Sequence, residues 1–196
     1  KKLNHLININ YIMPASKIIT NEYKKSINSK IKYIPLALDY YPSEQEISNL
    51  DNNNLISVGR LENEKAMDEL IYIMNELTKK DKNIFLNIYG DGTDRKKIEA
   101  LINEFKLEKK IKLWGFKSKE EIQSALKQST LYLMTSKEES FGLVLIEAMS
   151  FGVPCIAYNS AEGAKEIIKP KTGYLVENRD RKKYIEEIKS YLKYPL

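Results

Sequence analysis

Short apolar runs alternate with amphipathic segments along most of this chain. Sorted by the periods of two and 3.6 residues that distinguish strand from helix, they predict strands at Leu55 to Gly59, Ile84 to Tyr89, Ile111 to Trp114, Leu131 to Met134, Pro154 to Tyr158 and Thr172 to Val176. Helices are predicted to start near Lys65, Thr93, Lys119, Gly142, Gly163 and Arg179. Such alternation implies an α/β fold, a parallel sheet with helices on both faces. Ligands on such a sheet bind beyond the carboxyl ends of the strands, on the loops that lead into helices.

The opening of the chain reads differently. Ala15 to Thr20 suits a strand, Asn21 to Ser29 a helix and Ile31 to Pro35 another strand, followed by a polar loop from Tyr40 to Asn54. Within that loop Asp51-Asn52-Asn53-Asn54 reads as a turn or linker.

Composition narrows the function classes. The 196 residues suffice for one well-packed α/β domain with some chain left over. The formal net charge of +5 is spread as single lysines along helices. With Lys, Asn and Ile abundant, that spread reads as compositional bias rather than a nucleic-acid surface, and it leaves open a weak attraction to anionic lipid or to a phosphorylated substrate. No apolar stretch reaches the ~18–20 residues of a membrane span, and no signal-peptide pattern is read. The expectation is a cytoplasmic protein, at most peripheral on the inner face of a membrane. Cys155, the single cysteine, lies in an apolar strand and reads as a buried structural thiol. With His5 the only histidine, neither a His/Cys metal site nor a Ser-His-Asp triad is expected.

The segment richest in chemistry is Glu139-Ser140-Phe141-Gly142-Leu143-Val144-Leu145-Ile146-Glu147-Ala148-Met149. It follows the apolar Leu131 to Met134 and turns helical at Gly142. The amides of Phe141, Gly142, Leu143 and Val144 are therefore open donors of a helix N-terminus, a natural anion site. Glu147 lies about five residues in, roughly 7 Å along the axis, where it could grip both hydroxyls of a ribose whose diphosphate rests on the helix end. Glu139 precedes the turn and could face whatever hangs from the other end of the diphosphate. Taken singly, each glutamate reads better as a solvated residue or an ordinary helix residue. Framing Phe-Gly together, they point to a site.

A second cluster is Val58-Gly59-Arg60-Leu61-Glu62-Asn63-Glu64-Lys65. Arg60 offers a planar fork to two phosphate oxygens and Lys65 a compact point charge. Alternatively both are surface charges paired with Glu62 or Glu64. Gly90-Asp91-Gly92 lacks the third glycine of a dinucleotide fingerprint, since Arg95 stands there. It reads as a tight turn that lets backbone approach a ligand, with Asp91 a weak candidate for contact. Ser118 and Glu121 form a capping box. Trp114 and Phe116 read as core and cleft wall, and Glu162 and Gly163 lie on a further strand-to-helix loop.

Two glutamates separated by seven residues, with Phe-Gly inside and Glu-Ala-Met then Gly-Val-Pro after, resemble the signature of the retaining family 4 (group 1) glycosyltransferases. The resemblance runs from about Leu55 to Tyr191. It implies a Rossmann-like domain forming the C-terminal, donor-binding half of a GT-B fold. Residues 1–45 would then be the tail of an acceptor domain and the crossover, or the first elements of this domain. Residues 46–196 would bind the nucleotide sugar. The family carries Gly-Arg and, five positions later, Lys at the donor diphosphate, which assigns that role to Gly59, Arg60 and Lys65. It places the nucleobase against the loop Trp114 to Ser118, with Lys117 in contact. Where most relatives have Gly after the Lys, this chain has Ala66, a change that a helix would tolerate.

The implied activity is hexosyl transfer with retention from a nucleotide sugar, as UDP-sugar, to a polysaccharide or lipid-linked acceptor. Ser160 to Ile168 resembles enzymes of capsule, exopolysaccharide or teichoic-acid assembly. Glu139, Arg60 and Lys65 would carry the chemistry without metal or other cofactor. The acceptor would be held by an N-terminal domain that this chain mostly lacks, leaving the chain inactive alone. A non-catalytic nucleotide-sugar-binding module and a GT-B-type sugar-nucleotide epimerase are the alternatives.

Overall fold

The computed structural model describes residues 11–26, 30–48, 50, 52–79 and 83–193. The predicted N-terminal elements lie partly outside these. Among the described residues the chain forms β1 (Tyr11–Ile12), α1 (Lys17–Ser26), β2 (Lys30–Ile31), β3 (Asn54–Val58), α2 (Asp68–Thr78), β4 (Phe85–Tyr89), α3 (Arg95–Glu104) and β5 (Ile111–Leu113). There follow α4 (Lys119–Leu126), β6 (Leu131–Met134), α5 (Leu143–Ser150), β7 (Cys155–Tyr158), α6 (Glu162–Ile167), β8 (Gly173–Val176) and α7 (Arg181–Lys193). The six later strands form one parallel sheet in the order β5-β4-β3-β6-β7-β8. The chain runs outward from β3 to one edge, then returns to β6 and runs to the other. This is the doubly wound, Rossmann-like order, with its switch point between β3 and β6.

Successive strand residues alternate between two cores because side chains alternate across a pleated sheet. Leu55, Leu86, Ile88, Leu131, Leu133 and Ile156 pack with α2, α3 and α7 on one face. Ile56, Tyr132, Met134, Cys155 and Ala157 pack with α4, α5 and α6 on the other. The strand runs are continuously apolar because both faces are covered. Cys155 is buried, as expected, and burial pushes its thiol pKa up.

The switch point is held open by side chains. β3 pairs with β4 over five residues, but with β6 only at Leu55↔Leu131 and Ile56↔Tyr132. Beyond that the Ser57 hydroxyl donates to the Leu133 carbonyl at 2.8 Å. The buried Tyr132 hydroxyl donates to the Val58 carbonyl at 2.9 Å and accepts from the Val58 amide at 3.2 Å. Side chains thus take over the ladder where the strands part, and a crevice opens at their carboxyl ends. Tyr132→Phe removes the partner of both Val58 groups and is expected to cost about 1–3 kcal/mol. Urea denaturation measures the loss; unchanged stability would mean that cavity water replaces the hydroxyl.

The N-terminal expectation fails at one element. Ala15 to Thr20, predicted as strand, contributes instead to α1, and β1 and β2 form a separate parallel pair. The β-branched Ile18, Ile19 and Thr20 suggested a strand, but the local hydrogen bonds favour a helix. Ser16 accepts from the amides of Ile18 and Ile19 at 3.1 and 3.4 Å. Glu166 of α6 accepts from the amides of Lys17 and Ile18, both at 3.1 Å, and from the Ser16 hydroxyl at 2.7 Å. A carboxylate about 150 residues away in sequence caps this helix.

Candidate functional site

The crevice between β3 and β6 is a cavity of about 310 Å3 whose walls include Gly59, Arg60, Lys65, Glu139, Gly142 and Glu147. Leu143 and Val144 also line it. The two clusters read from the sequence therefore share one hollow at the switch point.

Its two loops are fastened together. The Thr135 hydroxyl, at the end of β6, donates to the carbonyls of Lys65 and Ala66 at 3.3 and 2.9 Å. The Lys137 amide donates to the Glu64 carbonyl at 2.8 Å, and its ammonium to Asn63 at 2.6 Å. Lys65 reaches across to Glu139 at 2.6 Å, with both side chains largely buried. Arg60 pairs with Glu64 at 2.7 Å and stays mostly in solvent, its side chain 70% exposed.

Lys65 does not open a helix as predicted. It sits in a turn, and α2 starts only at Asp68. Ala66 between them is left-handed, with φ +47°, so the reading that a helix tolerates alanine here is corrected: the position is one that favours glycine. Ala66→Gly should leave stability within about 0.5 kcal/mol, because relief of about 1–2 kcal/mol of left-handed strain offsets added unfolded-chain entropy and the lost methyl burial. A helix-interior site would instead lose about 1 kcal/mol. Thermal denaturation of the variant separates the two.

α5 begins as expected. Gly142 caps it at φ +89°, a conformation that L side chains adopt at a cost. No described residue accepts from the amides of Phe141, Gly142, Leu143 or Val144. Phe141 itself is buried. Glu147, half-buried one turn further in, has no hydrogen-bond partner among the described residues. Burial raises its carboxyl pKa; the Lys119 charge lowers it and Asp39 adds to the rise. A half-buried carboxylate beside open amides can accept hydroxyl donors while the amides meet an anion.

Glu147 also borders a second hollow of about 280 Å3 between α4 and α5, lined by Asp39, Lys119, Ile122, Gln123 and Phe151. Lys119 pairs with Asp39 there. A third, wider hollow of about 490 Å3 lies on the other side of Lys65 and Glu139, walled by Ile18 and Ile19 of α1 and by Glu162.

Several residues do not fit their sequence readings. Lys117 pairs with Glu121 at 2.7 Å and lies in a separate hollow with Tyr89 and Trp114, away from Arg60 and Glu147. Gly90 and Gly92 are needed for packing against neighbouring backbone. A Cβ at Gly90 would strike the Gly59 carbonyl, and one at Gly92 the Leu61 carbonyl, so this turn lets backbone approach backbone. Asp91 is occupied with the Gly92 amide and Arg95. Phe116, read as core or cleft wall, is 87% exposed. The capping box at Ser118 and Glu121 is formed as expected.

Arg179 escaped the sequence reading. Its guanidinium donates to the carbonyls of Thr135 and Ser136 and to the Ser160 hydroxyl at 3.1–3.2 Å, and it lies 4.4 Å from the Tyr158 ring centre. It fixes the end of β6 from which Glu139 departs. Its partners are mostly main-chain carbonyls, so no side-chain pattern in the sequence announces it.

A doubly wound sheet with open amides, a buried Lys–Glu pair and a half-buried carboxylate at its switch point has the architecture of one Rossmann-like half of a GT-B glycosyltransferase fold. Comparison with known proteins agrees. Residues 43–195 match the family described as Glycosyl transferases group 1, and the chain belongs to that family. It is 30% identical over 164 residues to the GtfA subunit of the UDP-N-acetylglucosamine–peptide N-acetylglucosaminyltransferase of Streptococcus agalactiae, covering 82% of this chain and 32% of that protein. It is 33% identical over 124 residues to the poly(ribitol-phosphate) alpha-N-acetylglucosaminyltransferase of Staphylococcus aureus, covering 63% of this chain and 25% of that one. The crystal structure of pneumococcal O-GlcNAc transferase GtfA with UDP and GlcNAc superposes with a TM-score of 0.84 at 22% identity, over 97% of this chain and 40% of that one. The chain thus spans about a quarter to a third of the two curated relatives' length.

Proposed function

We propose that this chain is the donor-binding half of a retaining glycosyltransferase that transfers a hexosyl unit from a UDP-sugar to a hydroxyl of a cell-surface glycan or lipid-linked acceptor. The observation that carries this reading is the cavity in which Arg60, Lys65, the open α5 amides and the unpartnered Glu147 converge. The diphosphate would rest on the amides of Phe141 to Val144 and meet Lys65 and Arg60. Its ribose hydroxyls would donate to Glu147, and the base would enter the second hollow beside Lys119. The sugar would lie toward Glu139 and the wide hollow beyond it.

As the anomeric C–O bond breaks, negative charge grows on the β-phosphate. Lys65, Arg60 and the amides are prearranged to meet it, and in this reading neither metal nor other cofactor is required. The leaving phosphate would take the acceptor's proton during attack on the same face, which retains configuration. Glu139 orients the sugar through its hydroxyls. The curated relatives that use N-acetylglucosamine in their names support a nucleotide-sugar donor. Capsule, exopolysaccharide or teichoic-acid assembly, at the cytoplasmic face of the membrane, is the proposed setting. Residues 1–45 would lead from an acceptor domain, so the 196-residue chain alone should bind donor without appreciable transfer.

Calorimetry with UDP and uridine tests the site. Arg60→Ala is expected to weaken UDP about tenfold, the worth of one charge-assisted contact, and leave uridine within twofold. Equal losses for the two ligands would remove the phosphate assignment.

A further inference from the structure

Two strand-to-helix loops and the start of α2 are tied to one corner of the chain, residues 177–181 between β8 and α7. None of these residues lines the cavity itself. Asn178 and Arg179 are both left-handed there, with φ +51° and +52°, a conformation that L side chains adopt at a cost. The Arg179 guanidinium meets the root of the loop that carries Glu139. Both its terminal nitrogens donate to the Thr135 carbonyl, and one donates also to the Ser136 carbonyl and the Ser160 hydroxyl. Thr135 in turn holds the Lys65 and Ala66 carbonyls with its hydroxyl. Two residues on, Arg181 grips the Glu69 carboxylate with two bonds of 2.7 and 2.8 Å. Glu69 lies in the first turn of α2, just after the Lys65 turn. The Tyr158 hydroxyl donates to the same carboxylate at 3.1 Å, while its ring centre lies 4.4 Å from the Arg179 guanidinium.

We propose, resting on the donor-site reading above, that Arg179 and Arg181 are positioning residues for that site. Together they set the spacing between the Lys65 turn and the loop bearing Glu139 and the α5 amides. A diphosphate gripped from both loops needs them at a fixed separation, and a displacement of about 1 Å at such a site is costly. A guanidinium suits this task because its planar fork holds several acceptors at once, which a single ammonium does not. Its bonds to the Thr135 and Ser136 carbonyls are charge-assisted. Tyr158 couples the two arginines, since it packs on one and shares the carboxylate held by the other. The backbone supports a role beyond stability. Glycine would adopt the left-handed turn without strain, yet the residue at this position is one whose side chain bridges both loops. Strain kept for the sake of such contacts points to a function for them.

Calorimetry with UDP and with uridine, on variants whose folding is checked by urea denaturation, tests this. Arg179→Gly suits the left-handed backbone, so relief of strain offsets part of the lost hydrogen bonding and the chain should stay folded. Its UDP affinity should fall about tenfold, the worth of one charge-assisted contact out of register, with uridine held within about twofold. Arg181→Ala should do the same by loosening the start of α2. Arg179→Lys keeps the charge without the fork and should recover only part of the loss. A purely structural role would instead lower UDP and uridine alike, and that result would overturn the proposal. So would UDP affinity within about twofold of the parent in either Arg179→Gly or Arg181→Ala, or full recovery in Arg179→Lys. In those cases UDP binding by the parent would leave the donor reading standing. A parent chain that fails to bind UDP would sink that reading, and the positioning role with it.

Discussion

Lys65→Ala is expected to weaken UDP binding about a hundredfold, more than any other single change in the cavity. Two effects add. The variant loses a largely buried cation from the diphosphate position, where a charge-assisted hydrogen bond is worth about 1.5–3 kcal/mol. It also strips Glu139 of its partner at 2.6 Å, leaving a carboxylate to repel the incoming phosphates. Arg60, which stands mostly in solvent, should matter less. The second effect can be isolated: Lys65→Ala/Glu139→Ala should recover part of the loss, and calorimetry across the double-mutant cycle reads the coupling. A Lys65→Ala affinity within twofold of the parent would remove Lys65 from the donor site.

Gly163→Ala should damage both the fold and the site. A Cβ there would lie 2.5 Å from the Phe141 carbonyl carbon and 2.6 Å from its Cα, and these are backbone atoms that cannot swing aside. The Gly163 amide meanwhile donates to the Glu139 carbonyl at 2.7 Å. To admit the methyl, α6 must withdraw from the loop that carries Glu139 and the open amides. The expected cost is about 3 kcal/mol, the upper range of overpacking, with loss of detectable UDP binding. Gly59→Ala is the control for stability, because its Cβ would meet only the movable end of Met67 at 3.0 Å. Urea denaturation of the two variants should separate clearly; similar costs would mean that α6 can move freely.

The six strands of the main sheet were legible because each is a short apolar run, and their alternation with helices predicted a parallel sheet. The cavity that Arg60, Lys65, Glu139 and Glu147 share was legible in the same pattern, since all four fall after strands. What misled was the local setting of single residues. Ile18-Ile19-Thr20 looks like a strand until Glu166 supplies the helix cap from another element. Ala66 looks harmless in a helix until the turn forces its φ positive. Gly90 and Gly92 look ligand-facing, yet they serve the close packing of two strand ends. Lys117 follows the right strand but turns to Glu121, while Lys119, two residues on, borders the hollow shared with Glu147. Arg179 works through main-chain carbonyls, which a sequence does not display.

Glu166 also bears on how the molecule would come apart. The family match starts at residue 43, but α1, well before it, is pinned to α6 through three hydrogen bonds from Ser16, Lys17 and Ile18, and Asp39 is tied to Lys119. A protease nick in the polar stretch after Tyr40 would therefore sever the chain without freeing the leading piece, which should remain associated until the two halves are denatured.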